Sequence, residues 1–255
     1  MIKLKNMVAA ACLVATTLTT TAQTRVVAHR GYWDAPGAAQ NSIRSLIKAD
    51  SIGCWGSEFD VWMSLDGTLF VNHDATINGV EIQSSRARDI KQQRLSNGEF
   101  IPTLREYLFA GIPLKTQLVL ELKEHRDVHQ EAKAVKKILK MVRKMGLENR
   151  MTYITFSLPA LIEFIKWAPA GTEVYYLDGD LSPAKLKHIG AAGLDYSLRA
   201  MKQHFDWFEA AKREGVKVNV WTVNNEDDMR WCIENGADFI TTNAPLRLQQ
   251  LLANP

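Results

Sequence analysis

The sequence has few cysteines and no apolar run long enough to cross a membrane. Three of its 255 residues are cysteines, and Cys54 and Cys232 lie too far apart in sequence to indicate a disulfide framework or a metal site. We interpret both as buried thiols. The apolar run over residues 7–14 is far shorter than the roughly 20 residues that span a bilayer. The sequence therefore predicts no transmembrane helix.

The sequence also has almost no excess of charge. It contains 31 lysines and arginines against 28 aspartates and glutamates. Without Lys3 and Lys5, which lie in an N-terminal leader-like segment, 29 basic residues remain and the net charge is about +1. Proteins that bind nucleic acid carry a clear basic excess on the binding surface. No nucleic-acid partner is expected.

The first 22 residues have the features of a secretory signal peptide. Lys3 and Lys5 precede the apolar run, and Thr20-Thr21-Ala22 provides a small-residue end, so cleavage is predicted after Ala22. The Ala9-Ala10-Ala11 segment before Cys12 lacks a large aliphatic residue, so lipoprotein processing is not expected. The mature protein, residues 23–255, has no Pro/Gly/Ser-rich linker and is predicted to be a single domain. Its expected location is periplasmic or extracellular.

Short β-branched or apolar runs alternate with stretches of helical period along the mature chain. This alternation is typical of α/β proteins with a parallel sheet. Eight such units predict a closed (β/α)₈ barrel, the TIM-barrel fold, with a short insertion after the second strand. The predicted strands cover residues 26–29, 57–63, 117–122, 151–156, 173–177, 193–198, 216–223 and 238–242.

The periodicity and composition of the sequence also predict two helices and one turn. Residues 41–52 have helical period, as does a stretch whose apolar face runs from Val135 to Met145 and whose lysines fit a solvated outer face. Leu65-Asp66-Gly67-Thr68 has the composition of a tight turn. This turn lets the chain double back after the second strand and brings His73 to the same end of the barrel. The remaining histidines are interpreted as surface residues: His125, His129, His188 and His204.

Carboxylates cluster on the second and third predicted strands. Active sites of this fold form at the C-terminal ends of the strands. Glu58 and Asp60 are two residues apart, so both face the same side and can reach one ion. Glu121 adds a third carboxylate from the next strand. Three carboxylates at one barrel mouth would repel one another without a cation, and oxygen ligands favour Ca²⁺ or Mg²⁺ over zinc.

Two imidazoles and two cations accompany these carboxylates. His29 and His73 lie near strand ends, and imidazoles exchange protons near neutral pH. Arg30 follows His29, and Lys123 shares a strand face with Glu121; both suit a phosphate group. The combination indicates metal-assisted phosphodiester chemistry.

From about Arg25 to Leu248 the sequence resembles the glycerophosphodiester phosphodiesterase family. Members of that family have a His-Arg-Gly turn, a Glu-x-Asp strand, an Asp-Gly turn, His-Asp, Pro-Thr-Leu, Glu-x-Lys and a late Trp-Thr-Val-Asn. The corresponding motifs here are His29-Arg30-Gly31, Glu58-Phe59-Asp60, Asp66-Gly67, His73-Asp74, Pro102-Thr103-Leu104, Glu121-Leu122-Lys123 and Trp221-Thr222-Val223-Asn224.

The resemblance implies a role for each matched position and a small-molecule phosphodiester substrate. The expected products are glycerol phosphate and an alcohol such as choline or ethanolamine. Trp221 either lines the glycerol end of the site, as the resemblance implies, or fills the barrel. The implied roles are acid and base for His29 and His73, ligation of one Ca²⁺ or Mg²⁺ ion by Glu58, Asp60 and Glu121, and phosphate binding by Arg30 and Lys123.

Two departures from the family pattern affect residues near this site. Gln40 stands where the family's Pro-Glu-Asn-Thr motif has an acid, and Asn243 stands where Thr-Asp-x-Pro has one. Gln40 could still coordinate a cation through its carbonyl oxygen. Both replacements could change metal affinity or substrate choice.

Two alternative functions remain at this point. One is a lysophospholipase D or a phosphoinositide-specific phospholipase C acting on lipid, which should expose an apolar rim; residues 79–98 are mostly polar. The other is an inactive protein that binds phosphorylated ligands, although no expected histidine or carboxylate is missing. The sequence leaves open which histidine is the acid, whether water or a glycerol hydroxyl attacks, which cation binds, and the oligomeric state.

Overall fold

A computed structural model describes residues 23–254 of the chain. The predicted signal peptide, residues 1–22, lies outside the described residues. Within them the strands are β1 (Arg25–Ala28), β2 (Gly56–Met63), β3 (Leu69–Val71), β4 (Thr76–Ile77), β5 (Val80–Glu81), β6 (Gln117–Leu122), β7 (Met151–Thr155), β8 (Glu173–Tyr176), β9 (Gly193–Ser197), β10 (Lys217–Trp221) and β11 (Phe239–Thr242).

Helices connect most of these strands. They are α1 (Ile43–Ser51), α2 (Ala87–Ile90), α3 (Leu104–Gly111), α4 (Val128–Lys144), α5 (Leu158–Trp167), α6 (Pro183–Ile189), α7 (Leu198–Gln203), α8 (Trp207–Glu214), α9 (Glu226–Glu234) and α10 (Pro245–Ala253), with a 3₁₀ turn at Glu148–Arg150. No helix among residues 23–254 combines the length and apolar character that a membrane span requires.

Eight strands close into the predicted (β/α)₈ barrel. Parallel pairings run in the order β1, β2, β6, β7, β8, β9, β10, β11, and β11 pairs with β1 to close the circle. The eight predicted strands are these eight, with ends that differ by two residues or fewer. The prediction succeeds because strands buried on both faces form near-continuous apolar runs.

Alternation along each strand separates the barrel interior from the helix layer. In β9, Leu194 and Tyr196 pack in the large outer core against the helices, which leaves Asp195 facing inward. In β2, Phe59 and Val61 pack outward and Glu58 and Asp60 face inward. A smaller apolar cluster plugs the barrel below the carboxyl ends of the strands, formed by Val27, Val119, Ile154, Tyr175, Leu177 and Phe239.

The insertion after β2 is a small subdomain with its own core. At the predicted turn, Gly67 adopts a φ of +81°, which favours glycine, and β3 then pairs antiparallel with β2. A β4–β5 hairpin and the short α2 follow. This arrangement confirms that the chain doubles back toward the barrel mouth. The insertion packs on a separate apolar cluster of Trp62, Phe70, Ile77, Ile82, Ile90 and Ile101.

The two helices predicted from periodicity are present with shifted starts. The first begins at Ile43 because Ser42 caps it: its hydroxyl accepts a hydrogen bond from the Ser45 amide. The second is α4, which begins earlier than the predicted apolar face because Asp127 accepts two amide hydrogen bonds at its N-terminus. Lys137 of α4 donates to the Gly67 carbonyl. The basic face of α4 thus lies on the outside of the barrel, as predicted.

Candidate active site

A cleft of about 330 Å³ opens at the carboxyl ends of the barrel strands. One wall, here called the charged side, comes from β1, β2, β6 and the residues after β3: His29, Arg30, Glu58, His73, Glu121 and Lys123. The opposite wall, the apolar side, comes from β7 to β10: Ile154, Phe156, Leu177, Asp195 and Trp221. Asp60 lies directly behind the charged side and joins it through Arg30 and Lys123.

The three predicted carboxylates meet on the charged side. One carboxylate oxygen from each of Glu58, Asp60 and Glu121 lies within 4.8 Å of the others, and all three residues are buried. β2 and β6 are paired so that Asp60 is directly opposite Glu121. Two oxygens bound to one Ca²⁺ at 2.3–2.6 Å can be at most about 5 Å apart. The spacing therefore fits a single cation.

Because the three carboxylates are buried close together, their negative charges are not fully compensated by the surrounding residues. Desolvation, then Asp60 and Glu121, raise the pKa of Glu58 well above its ordinary value. Desolvation and Asp60 also raise the pKa of Glu121. Glu58 Oε1 has no hydrogen-bond partner among the described residues, and a buried carboxylate oxygen without a partner is costly. The all-oxygen donor set and this free oxygen fit a hard divalent cation.

Asp60 is the carboxylate that keeps its charge. Burial alone would raise its pKa, but Lys123 and the other positive groups and hydrogen bonds around it hold the pKa below the ordinary value. Lys123 Nζ lies 3.4 Å from Asp60 Oδ1 and 2.7 Å from Glu121 Oε1. Lys123 therefore contacts two of the three carboxylates and lies at the edge of the cleft.

Arg30 reaches the site through an unusual backbone turn. Its φ is +57° and that of Gly31 is +76°, a region that L side chains rarely adopt. The turn directs the Arg30 amide to Glu58 Oε2 at 2.7 Å and its Nε to Asp60 Oδ2 at 3.7 Å. Gly31 is required here because an added Cβ would collide with the side chain and backbone of Ser45.

Gln40 binds Arg30 and not the carboxylate cluster. Its Oε1 accepts a hydrogen bond from Arg30 Nη1 at 2.6 Å, on the exposed side of the guanidinium. The possibility that Gln40 ligates a cation is therefore not supported. Replacing the family's acid by an amide at this position removes a negative charge beside Arg30.

The second departure from the family pattern, Asn243, contacts His29 directly. Asn243 Oδ1 lies 2.8 Å from His29 Nδ1 and also accepts a hydrogen bond from Trp33 Nε1 at 3.2 Å. An indole nitrogen can only donate, so the atom that faces Trp33 is the amide oxygen. His29 Nδ1 then has to carry the hydrogen. In the neutral ring Nε2 is consequently the basic nitrogen.

His29 is held in its neutral form. Burial, followed by the positive charge of Arg30, lowers its pKa to about 4. An amide acceptor at Nδ1 stabilises the imidazolium less than a carboxylate would. At neutral pH, His29 therefore presents an unprotonated Nε2.

His73 approaches the cleft from the insertion. It follows β3, and Trp62 Nε1 donates a hydrogen bond to its carbonyl at 3.0 Å. Its Nδ1 lies 2.7 Å from Asp74 Oδ1. A carboxylate only accepts, so Nδ1 carries a hydrogen and Nε2 is the nitrogen free to exchange a proton. His73 is more exposed than His29 and lines the same cleft.

Trp221 forms part of the apolar side. Its Nε1 donates to the Asp195 carbonyl at 2.8 Å, and its ring meets Phe156 edge-to-face with centroids 5.7 Å apart. Because its polar atom is bonded to the backbone, Trp221 offers the cleft an apolar surface. The structure thus brings all the site residues that we predicted from the sequence to this cleft or directly behind it.

Two residues with structural roles at this site were not recognised from the sequence. Asn41, at a φ of +61°, donates to Asp60 Oδ2 at 2.8 Å and accepts from the Asp60 amide at 3.1 Å. His125 was predicted to be a surface residue, and this is wrong. It is half-buried, and both ring nitrogens are bonded to the backbone: Nδ1 donates to the Lys123 carbonyl at 2.7 Å, and Nε2 accepts from the Met63 amide at 3.0 Å.

A barrel whose mouth joins three carboxylates, two imidazoles and two cations defines an enzyme of phosphate-ester chemistry. The sequence profile of the glycerophosphoryl diester phosphodiesterase family matches residues 29–247. A curated glycerophosphodiester phosphodiesterase from Caldanaerobacter subterraneus subsp. tengcongensis is 29% identical over 246 residues, which are 90% of this chain and 98% of that protein.

Solved structures give the same result. A glycerophosphodiester phosphodiesterase from Parabacteroides distasonis is 44% identical, with a TM-score of 0.90 over 91% of this chain and 98% of that one. An Oleispira antarctica phosphodiesterase, 24% identical, shares the fold with a TM-score of 0.77 over 91% and 98% of the two chains. The chain belongs to the glycerophosphoryl diester phosphodiesterase family. It is a phosphodiesterase of a family that hydrolyses glycerophosphodiesters with a divalent metal.

Proposed function

We propose that the protein hydrolyses glycerophosphodiesters to glycerol 3-phosphate and an alcohol, with His29 as general base and His73 as general acid. The observation that carries this proposal is the meeting of both imidazoles with three carboxylates and two cations in one cleft. The product sn-glycerol-3-phosphate bound to the Oleispira antarctica fold neighbour is compatible with it.

Glu58, Asp60 and Glu121 would hold one Ca²⁺ or Mg²⁺ ion. An ion held there would supply Lewis-acid polarisation of a phosphoryl oxygen and would balance the buried negative charge. Arg30 and Lys123 are the cations of the charged side, and they orient the phosphodiester by their positive charge. Trp221 supplies an apolar surface against which the glycerol portion of the substrate packs.

The two histidines divide the proton transfers. His29 Nε2, which is unprotonated because of the Asn243 contact and the low pKa, removes the proton from the attacking oxygen. That oxygen belongs to water or to the neighbouring glycerol hydroxyl, in which case a cyclic phosphate forms and is opened by water. His73 donates a proton to the departing alcohol oxygen from Nε2. This assignment needs one neutral and one protonated imidazole.

Export through residues 1–22 is also part of the proposal. Lys3 and Lys5 before an apolar run and the small residues ending at Ala22 support it. The mature protein would then act in the periplasm or outside the cell. Mass spectrometry of protein recovered from the cell exterior should give an N-terminus at Gln23, whereas an intact Met1 would contradict export with cleavage.

Phosphorus NMR tests the reaction. Purified mature protein is incubated with glycerophosphocholine and Ca²⁺ or Mg²⁺, and the expected products are glycerol 3-phosphate and choline. Phosphocholine and glycerol would show cleavage of the other phosphorus–oxygen bond and overturn the proposal. Turnover of lysophosphatidylcholine but not glycerophosphocholine would assign the lipid substrate, and binding without turnover of any diester would indicate a phospho-ligand-binding protein.

A further inference from the structure

The apolar side of the cleft contains one ionisable group that the reaction does not use. Asp195 faces inward from β9 and is 2% exposed, yet it lines both the cleft and a small space inside the barrel. Its Oδ1 has no hydrogen-bond partner among the described residues. Asp195 is therefore a buried acceptor at the floor of the cleft.

The surroundings of Asp195 combine polar and apolar groups. On the next two strands, Asn219 Nδ2 donates to Thr241 Oγ1 at 2.8 Å, and the Asn219 amide is also the neutral hydrogen-bonding neighbour of the Asp195 carboxyl group. Leu177 and the Trp221 ring complete the wall. None of these neighbours brings a positive charge to the carboxyl group, and desolvation raises the pKa of Asp195 to about 7.

The other unpartnered buried atoms in this cleft belong to the charged side. Arg30 Nε and Glu58 Oε1 lie next to the carboxylate cluster, where a cation and a phosphate account for them. Asp195 lies on the opposite wall and needs a different partner. A buried carboxyl oxygen repels phosphate oxygens and binds a hydrogen-bond donor, so its ligand has to carry one.

We infer that Asp195 is the specificity-determining residue of a hydroxyl-binding subsite, and that it hydrogen-bonds a free hydroxyl of the substrate's glycerol group. This inference rests on the proposed function and names the part of the substrate that the apolar side recognises. A hydroxyl suits the site better than an ammonium group because it leaves no charge to be desolvated beside Trp221. Both protonation states of Asp195 can bond a hydroxyl, which donates and accepts.

Two variants and two substrates test the inference. Asp195→Leu keeps the size of the side chain and removes both oxygens, whereas Asp195→Asn keeps one acceptor oxygen. Glycerophosphocholine carries free glycerol hydroxyls, and bis(4-nitrophenyl) phosphate carries none. We expect Asp195→Leu to lower kcat/KM for glycerophosphocholine by about 10- to 100-fold and to leave bis(4-nitrophenyl) phosphate within about twofold. Asp195→Asn should recover most of the difference.

Tyr175→Phe is the matched control. Tyr175 lies in the barrel interior, lines the same inner space as Asp195 and donates its hydroxyl to Glu173 away from the cleft. Its loss removes a buried polar atom without touching the subsite, so substrate discrimination should stay as in the wild type. Equal losses for both substrates in Asp195→Leu would show a structural role and overturn the inference, as would no loss at all.

Calorimetric measurements of ligand binding distinguish a failure of the hydroxyl-binding subsite from a failure of the proposed hydrolysis. Glycerol 3-phosphate should bind the wild type more tightly than inorganic phosphate does, and Asp195→Leu should abolish only that difference. An absence of the difference in the wild type overturns the subsite even if catalysis is observed. Absent turnover with the binding difference intact overturns the reaction instead. A loss in Asp195→Leu specific to glycerophosphoethanolamine over glycerophosphocholine would assign the ammonium group as the ligand.

Discussion

The charged side and the apolar side of the cleft are built by different means. On the charged side, most charged groups contact one another, as Arg30 and Lys123 do with Asp60, and the buried atoms without a hydrogen bond lie in or next to the carboxylate cluster. On the apolar side, Trp221 has its polar atom bonded to the backbone, and Asp195 Oδ1 has no hydrogen-bond partner among the described residues. This difference supports the proposed division, in which one wall serves charge and proton transfer and the other the shape and hydroxyls of the substrate.

The largest effect is expected at the two histidines of the charged side. His29→Ala and His73→Ala should each lower kcat by roughly 10²–10⁴, the usual contribution of a positioned acid or base, with much smaller changes in KM. His188→Ala, on the exposed face of α6, is the control and should retain wild-type rates. Steady-state kinetics with glycerophosphocholine checks this. Near-normal turnover in either variant would reduce that histidine to a structural role.

The next effect concerns cation binding. Glu121→Gln keeps the shape of the side chain and removes one charge, so cation affinity and activity should fall together by about 10- to 100-fold, and excess metal should restore part of the activity. Calorimetric titration of Ca²⁺ and Mg²⁺ measures the affinity.

The alternative for Glu121 is a simple ion pair with Lys123, 2.7 Å away. In that case the variant would bind metal normally and show altered phosphate affinity. Unchanged metal affinity would therefore contradict a three-carboxylate site. Circular dichroism of the variant should match the wild type, which excludes unfolding as the cause of any loss.

Sequence patterns predicted the charged side well because its residues follow directly from strand positions. Glu58 and Asp60 are two residues apart on one strand, so strand geometry alone places them together. The contact between His29 and Asn243 joins residues 214 positions apart, and only closure of β1 against β11 creates it. Periodicity contains no information about such a contact.

Other features were missed for local reasons. The side chain of Asn41 reaches Asp60 only because its backbone adopts a positive φ, which no spacing rule indicates. Asp195 belongs to no recognisable motif, and only the folded barrel leaves its Oδ1 without a hydrogen-bond partner among the described residues. His125 was misassigned because a loop position usually means exposure, whereas here both ring nitrogens bond the backbone.

A smaller effect is expected from restoring the family's acid at position 243. Asn243→Asp places a carboxylate against His29 Nδ1, which favours the imidazolium and raises the His29 pKa from about 4. A general base is inactive when protonated, so the acidic limb of the pH profile of kcat/KM should move to higher pH, by about 1–2 units. Asn149→Asp adds the same charge at the opposite end of the barrel and should leave the limb in place. If the acidic limb of the pH profile did not move in Asn243→Asp, this would contradict the assignment of His29 as the general base.

The last effect is on stability, not on activity, and belongs to the apolar side. Asp195 has a pKa of about 7 in the fold against 3.8 ordinarily, so the native state holds its proton more tightly than the unfolded state. Wild-type stability should therefore fall as pH rises from about 4 to about 7, by on the order of 3 kcal/mol. Asp195→Asn lacks this loss, so its melting temperature should exceed the wild type by several degrees more at pH 8 than at pH 4. A difference independent of pH would contradict a raised pKa.

A crystal structure of the protein with Ca²⁺ and glycerol 3-phosphate tests the division between the two sides most directly. We expect Ca²⁺ to be bound by Glu58, Asp60 and Glu121. The phosphate should lie against Arg30 and Lys123, and a glycerol hydroxyl should lie within hydrogen-bond distance of Asp195. A phosphate on the apolar side, or a Ca²⁺ ion bound away from the three carboxylates, would contradict this division.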